Sequence, residues 1–443
     1  MKTNSAMKRY LLAILLTLPV GAMAQESEPE NQFTTDIQLM ARGEIRNGGL
    51  PRDAEESTGD QSSFVIGRSR LIVGYERPML QAKLNIQHSG VWGQSGKGSI
   101  NVYEAWAKLT AKNGLFAQVG RQTLSYDDER IIGPNDWAMA GISHDVLKLG
   151  YEGHGHKLHA ILAYNQNAEN MSNGSSFYKN GSMPYKSMQT VWYHFDVPNF
   201  PLGASLLFMN IGMQSGKEGG VDFNAPRTEW QQLYGGYVKF APKLFSIEGS
   251  YYRQGGHNED RGKINAWMTS VKGTFDPSPV YGFEAGYDYL SGDEYFAIPP
   301  EGGVGLIRHD VIKGFNPVYG SHHKFYGAMD FFYVTTYVNG FTPGLQNLFF
   351  GAHVSPLKGL RLSAAYHYYA TAAKLDGLNK TLGHDIELEA SYRIMKDVNL
   401  AVGFSYMNGT ETMEKLKRAS NDGSMRWGWV SLNITPRIFT TKW

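Results

Sequence analysis

Apolar and polar residues alternate with a period of two along most of this chain. From Asp36 to Arg46, the residues Ile37, Leu39, Ala41, Gly43 and Ile45 fall on one face, and Asp36, Gln38, Arg42, Glu44 and Arg46 on the other. Successive side chains of a strand point to opposite sides, so the pattern predicts a strand with one apolar and one polar face. It recurs at 64–76, where Val65, Leu71, Val73 and Tyr75 oppose Arg68, Arg70 and Glu76. At 81–87, Gln81, Lys83, Asn85 and Gln87 oppose Ala82, Leu84 and Ile86. Tyr103, Ala105, Ala107 and Leu109 alternate with Glu104, Trp106 and Lys108, and Ile386, Leu388 and Ala390 with Glu387, Glu389, Ser391 and Arg393. The second face is expected to be polar and charged from one end of the chain to the other.

The connections alternate between short and long. Arg77-Pro78-Met79, Lys112-Asn113-Gly114, Pro242-Lys243 and Lys396-Asp397 read as tight turns, whereas 47–62, 127–143, 169–185, 214–228, 294–343, 371–383 and 409–424 are long and rich in Gly, Asn, Asp and Ser. Counting with that parity gives about eighteen strands, the first near 34–47 and the last near 425–438. An even number puts both termini on the same side, the side of the short turns.

Alternation alone fits a soluble sandwich as well as a membrane barrel. The first 24 residues favour the barrel: Lys8-Arg9, an apolar stretch to Gly21 and Ala22-Met23-Ala24 before Gln25 form a secretory signal too short to span a bilayer. The mature domain is then 25–443, with 294–343 as a long extracellular loop. Phe, Trp and Tyr make up 13% of the chain and cluster near predicted strand ends, as interfacial girdles require. No run of eighteen apolar residues exists, so a spanning segment must be a closed barrel, in which every backbone donor finds an acceptor. The expected fold is all-β, a transmembrane antiparallel β-barrel in the outer membrane, with both termini periplasmic. The chain ends on Trp443, in keeping with that class.

Charge and composition narrow the chemistry. There is no cysteine, which removes disulfides, thiolate metal sites and cysteine nucleophiles. Loss of Lys2, Lys8 and Arg9 with the signal turns the formal charge of +1 into −2, so bulk charge identifies no partner. Ser143-His144-Asp145 are sequence neighbours and point to opposite faces of a strand, so they form no relay, and no G-x-S-x-G or H-E-x-x-H is present. No phosphate loop or basic stripe argues for nucleic acid. The chain is not expected to be an enzyme or to carry a cofactor.

One segment is more specific. Gly120-Arg121-Gln122-Thr123-Leu124-Ser125-Tyr126-Asp127-Asp128-Glu129-Arg130-Ile131-Ile132-Gly133 resembles the strand-to-loop signature of the alginate export family of outer-membrane barrels. Ser321 to Tyr333, followed by Gly344-Leu345-Gln346-Asn347-Leu348, and Leu382-Gly383-His384-Asp385-Ile386-Glu387-Leu388 are similar to two further segments of that family. The resemblance implies an eighteen-stranded channel with an arginine- and lysine-lined constriction that passes an anionic uronate polysaccharide. A periplasmic export machinery would then be a further partner, beside outer-membrane lipid and the carbohydrate, and a monomer is the default.

Carried onto this chain, the pore-lining set is Arg42, Arg46, Arg68, Arg70, Arg121 and Arg130, with Lys108 and Arg393 beside them and Glu44 and Glu104 interspersed to weaken each site. A guanidinium stays charged and meets a carboxylate with two parallel hydrogen bonds. The same charges could instead pair across the lumen and brace the wall. General diffusion of small anions or sugars, and a loop-sealed structural or adhesive barrel, are the alternatives to polymer export. Asp127, Asp128 and Glu129 form a weak calcium candidate; a solvated loop paired with Arg130 is the preferred reading, so no metal is expected. His322-His323 lies in the longest loop, either helping to fold that loop over the pore as a lid or as surface histidines.

Overall fold

The computed structural model describes residues 30–443 except 48–60, 95–97, 180, 182, 294–310, 331, 333–341, 376 and 418–423. The expected signal at 1–24 and most of 294–343 lie outside the described residues.

Eighteen antiparallel strands close into one sheet. In chain order they are β1 (Gln32–Asn47), β2 (Gln61–Arg77), β3 (Leu80–Val91), β4 (Ser99–Thr110), β5 (Leu115–Gln122), β6 (His144–Gly153), β7 (His156–Tyr164), β8 (Ser187–Asp196) and β9 (Leu202–Ser215). Then come β10 (Arg227–Phe240), β11 (Phe245–Gly256), β12 (Ala266–Phe275), β13 (Tyr281–Leu290), β14 (Leu345–Leu357), β15 (Leu360–Ala370), β16 (Thr381–Met395), β17 (Val398–Gly409) and β18 (Ser424–Ile434), which resumes as Arg437–Lys442. The break in β18 falls at Pro436, which has no N–H for a ladder. Each strand pairs with its neighbours in sequence. β1 closes the ring, with Asp36 opposite Ile72 on one edge and Leu39 opposite Ile434 on the other. Among the described residues every strand of this ring is paired on both edges, the condition a sheet must meet in hydrocarbon.

The start of the described residues meets the C-terminal residue at the rim of short turns, where the Asn31 and Trp443 backbones exchange hydrogen bonds of 2.8 and 3.1 Å. Leu71, Val119, Leu206, Phe208, Val271, Phe350, Phe404 and Val430 all point outward and are exposed, which only a lipid solvent tolerates around a whole barrel. Aromatic belts mark both edges of this band: Phe200, Phe240 and Phe245 pack together at the short-turn rim, and Tyr251, Trp267 and Tyr289 stack towards the other.

The inner face departs from the sequence expectation. It is not polar all round: Ile161, Met188, Met209, Ile211, Leu233, Tyr252 and Met268 on β7 to β12 point inward and are buried. They are covered by two inward-folded loops, 123–143 and the described part of the long loop, 311–330, which contribute Leu124, Ile131, Ile132, Phe315, Tyr319 and Tyr326 to the same cluster. The loop read as extracellular thus enters the lumen. The two loops are stitched by backbone bonds, Tyr319 N to Ile131 O at 3.1 Å, Gly133 N to Tyr319 O at 2.9 Å and Ser321 N to Glu129 O at 2.9 Å. Gly133 permits that approach, because a Cβ there would lie 2.3 Å from Ser321 Oγ.

Candidate functional site in the lumen

The three segments singled out in the sequence converge here. Arg130, from the first loop, is 3% exposed and sits between Asp128 at 3.1 Å, the Tyr326 hydroxyl at 2.9 Å and Asp288 of β13 at 3.1 Å, with Phe325 beneath its guanidinium at 3.9 Å. Burial by itself would depress this guanidinium, and Asp288, Tyr326 and Asp128 together overcome it and hold it firmly charged. Ala328 N donates to Glu387 Oε1 of β16 at 2.6 Å. The ring of His323 stacks on Trp137 at 3.9 Å, and its Nδ1 lies 3.0 Å from Asp330. His323 therefore belongs to the lumen rather than to a surface lid.

Arg42, Arg68 and Arg70 point inward, as expected, but end under the tip of the first loop. Arg42 donates to the Trp137 carbonyl at 3.1 Å and pairs with Glu44 at 2.8 Å. Arg68 and Arg70 grip the two oxygens of Asp136 at 3.1 and 2.7 Å, and Arg70 lies 4.0 Å from the Tyr103 ring. All three are at most 6% exposed, so they pin the loop to β1 and β2. Glu44 also binds Arg46 at 3.1 Å and accepts from the Trp427 indole at 3.0 Å. The bracing reading fits these residues and Arg130.

Arg121 is a correction. In β5 the buried Phe116, Gln118 and Gln122 point inward, and Leu115 and Val119 outward, which puts Arg121 on the outer face. There it pairs with Asp145 at 2.7 Å. The acidic run is also spread apart. Asp127 turns to the Trp192 indole (3.1 Å) and Ser205 (2.5 Å), Asp128 to Arg130, and Glu129 to Lys324 and Ser125. No metal-binding group of side chains occurs among the described residues. The Arg130 pairing is present, yet the loop is buried rather than solvated. Burial raises the Asp127 carboxyl above its usual range, since its partners are neutral donors. For Glu129 burial pushes the same way, but Lys324 and Ser125 prevail and lower it.

The charges that remain accessible occupy two walls. On the first, Lys108 of β4 and Lys148 of β6 both face Gln118 of β5 in the ladder, and their ammoniums lie 4.2 and 5.8 Å from the Phe116 ring. Lys83 pairs with Glu104 at 2.5 Å and keeps a third of its side chain exposed. Lys148 and Lys83 were missed as site residues, although both lie on the polar face of their strands. Across the barrel, β13 to β18 enclose a cavity of about 220 Å³ lined by Glu284, His353, Arg361, Glu387, Glu389 and Trp429, with His323 and Ala328 as its roof. Arg393 points inward nearer the short-turn rim, beside Arg361.

No family model matches the chain, and no curated protein sequence matches it. Solved structures do. It is similar to Pseudomonas aeruginosa OccK11 (OpdR), at 13% identity and TM-score 0.59 over 92% of this chain and 96% of that one. It is similar to OccK9 (OpdG) of the same organism at 12% and 0.60, over 92% and 98%. OccK2 (OpdF), solved in complex with glucuronate, matches at 11% and 0.58 over 91% and 98%. At such identities the likeness establishes the fold alone, and with its closed eighteen-stranded sheet and exposed apolar outer face this chain is an integral outer-membrane β-barrel.

Proposed function

We propose that this chain is a passive outer-membrane channel for small anionic solutes of sugar-acid size, with both termini periplasmic, acting as a monomer. The observation that carries the reading is the pair of loops tied across the lumen by Arg130, Asp288 and Tyr326, which leaves Lys83, Lys108 and Lys148 as accessible cations along one wall. Lysine suits transit: a hydrated point charge on a flexible stem attracts a carboxylate without the bidentate grip that would hold it. The similar OccK2 structure holds glucuronate, a single sugar acid. Export of a uronate polymer, implied by the alginate-export resemblance, fits less well, because a polymer needs a continuous lumen and the loops fill its centre.

Planar-bilayer recording of the refolded protein tests this. An anion-selective reversal potential in a salt gradient is expected, together with liposome swelling by glucuronate and none by a hexameric uronate. Replacing Lys108 and Lys148 by Glu is expected to abolish the anion preference. Passage of the hexamer, or cation selectivity in the unmodified protein, would overturn the reading.

A further inference from the structure

The cavity on β13 to β18 carries the opposite chemistry from the lysine wall. The ladder arranges its side chains in two adjacent rows. In one, Glu284, Gly351, Ala365, Glu387 and Ser405 face one another across successive strands; in the next, toward the short turns, stand His353, Ser363, Glu389, Gly403 and Trp429. The wall recedes where residues are small. A Cβ on Gly351 would lie 2.8 Å from the Glu284 carboxylate, so that side chain leans over Gly351 into the cavity.

Several groups here are unspent. Glu284, Glu389 and Arg361 make no ion pair among the described residues, whereas Glu387 is engaged by Ala328 N and lies 3.8 Å from His367. The Trp429 side chain is nine-tenths buried, and its indole N–H has no hydrogen-bond partner among the described residues. A Cβ on Gly403, part of the cavity floor, would lie 2.3 Å from that same nitrogen, so the free donor sits over the floor, on the strand position opposite Glu389. Three carboxylates line the cavity against one guanidinium and the imidazoles of His323 and His353, while the Lys272 ammonium, paired to Glu248, lies outside it. With the imidazoles neutral, the balance repels an anion and attracts a cation. A lone metal ion would leave the indole donor, Ser363 and Ser405 unused.

We propose that this cavity is a binding subsite for an amino sugar, the ammonium held between Glu284 and Glu389 and the ring hydroxyls met by Trp429, Ser363 and Ser405. A primary ammonium supplies the donors that two free carboxylates accept, and charge-assisted bonds of this kind are the strong ones. A ring hydroxyl supplies an acceptor for the indole N–H that Trp429 leaves unpaired. The subsite extends the solute range beyond the small anions of the lysine wall and does not depend on them.

Isothermal titration into the folded protein in detergent micelles at pH 6 and low salt reads the subsite without requiring conduction. Glucosamine, N-acetylglucosamine and glucose are the probes, and they differ at one ring position. Glucosamine is expected to bind about tenfold more tightly than either of the others. In the E284Q/E389Q double variant, checked for folding by its heat-dependent electrophoretic shift, that preference should fall to within about twofold. K108Q/K148Q should leave it unchanged while lowering anion selectivity in the bilayer, so the subsite and the channel reading fail separately. Equal binding of glucosamine and N-acetylglucosamine, no saturable heat, or a preference that survives E284Q/E389Q would overturn the proposal.

Discussion

The barrel has two halves that obey different rules inside. From β7 to β12 the inward residues under the two loops are largely apolar, as in Met188, Met209 and Leu233, each fully buried, while nearer the short turns Glu248 of β11 and Lys272 of β12 pair at 2.8 Å. From β13 round to β6 the inner face carries more charge, beside apolar residues such as Leu290, Leu345 and Trp427, and where the first loop covers it the contact includes ion pairs such as Arg68 and Arg70 on Asp136. The outer face is apolar on both halves. One half is therefore mainly an apolar base for the loops, and the other carries more of the charge that the proposed channel would present to solute. The division separates what holds the constriction from what the constriction can select.

The sharpest way to break the comparison is at Arg130, which ties both loops to Asp288 of β13. Arg130→Ala would leave Asp288, 2% exposed at its side chain, without its charged partner. Breaking a buried pair from one side costs about 3–5 kcal/mol. Urea unfolding in lipid vesicles should show a loss of that order, and single-channel conductance should rise as the loops loosen. Unchanged conductance would mean that the apolar base alone holds them.

Next in size is the apolar base itself. Leu124 is 1% exposed and packs into the buried cluster, so Leu124→Ala should cost about 2–3 kcal/mol. Leu206, on the opposite face of the same half, is 66% exposed to lipid, and acyl chains refill the space it leaves. Leu206→Ala should therefore cost under about 1 kcal/mol, measured by the same unfolding curves. Equal costs would deny the two-faced wall.

This half was the least legible in the sequence. All eighteen strands could be counted, because turn residues and the period of two are local. The apolar inner wall was also written there, in Leu206-Leu207-Phe208-Met209, where both faces are apolar; such a run signals burial on both sides of a strand, but it does not say what covers the inner one. Arg121 was misassigned because a motif match outweighed its own strand parity: counting from Gln118 puts it outside. The three motif segments were found far apart in the chain, and nothing in their spacing revealed that Asp288 and Glu387 would bind them together in the lumen. Whether an inward arginine meets solvent or a loop carbonyl is a question of tertiary contact, and alternation is silent on it.

On the charged half, Asp136→Asn should free Arg68 and Arg70 from their shared carboxylate. Asp136 is half exposed, so solvent already weakens these pairs, and the change in anion-to-cation permeability should be about two- to fivefold toward anions. Reversal potentials measure it directly. No change would mean that the loop tip stays seated and keeps both guanidiniums out of reach.

The smallest effect should be a dependence on pH that originates in the apolar half. Asp127 is a carboxyl from the loop set against the Trp192 indole, Ser205 and the Tyr252 hydroxyl, and burial raises its affinity for a proton. A carboxyl whose folded affinity exceeds its unfolded one adds stability when protonated, fully below its unfolded range, and loses it as pH rises through the raised value. Wherever it is ionised, Asp127 therefore works against loop docking, and Asp127→Asn, which stays neutral, should be the more stable protein at the upper end of the pH range. The gap between the two should close as pH falls toward the carboxylate range. His322, which burial lowers to about 4, titrates in the same window with the opposite sign, but it is present in both proteins, so their difference isolates Asp127. A gap that is constant from pH 7 to pH 4 would mean that Asp127 does not titrate in that window, and that its burial does not set the pH dependence of loop docking.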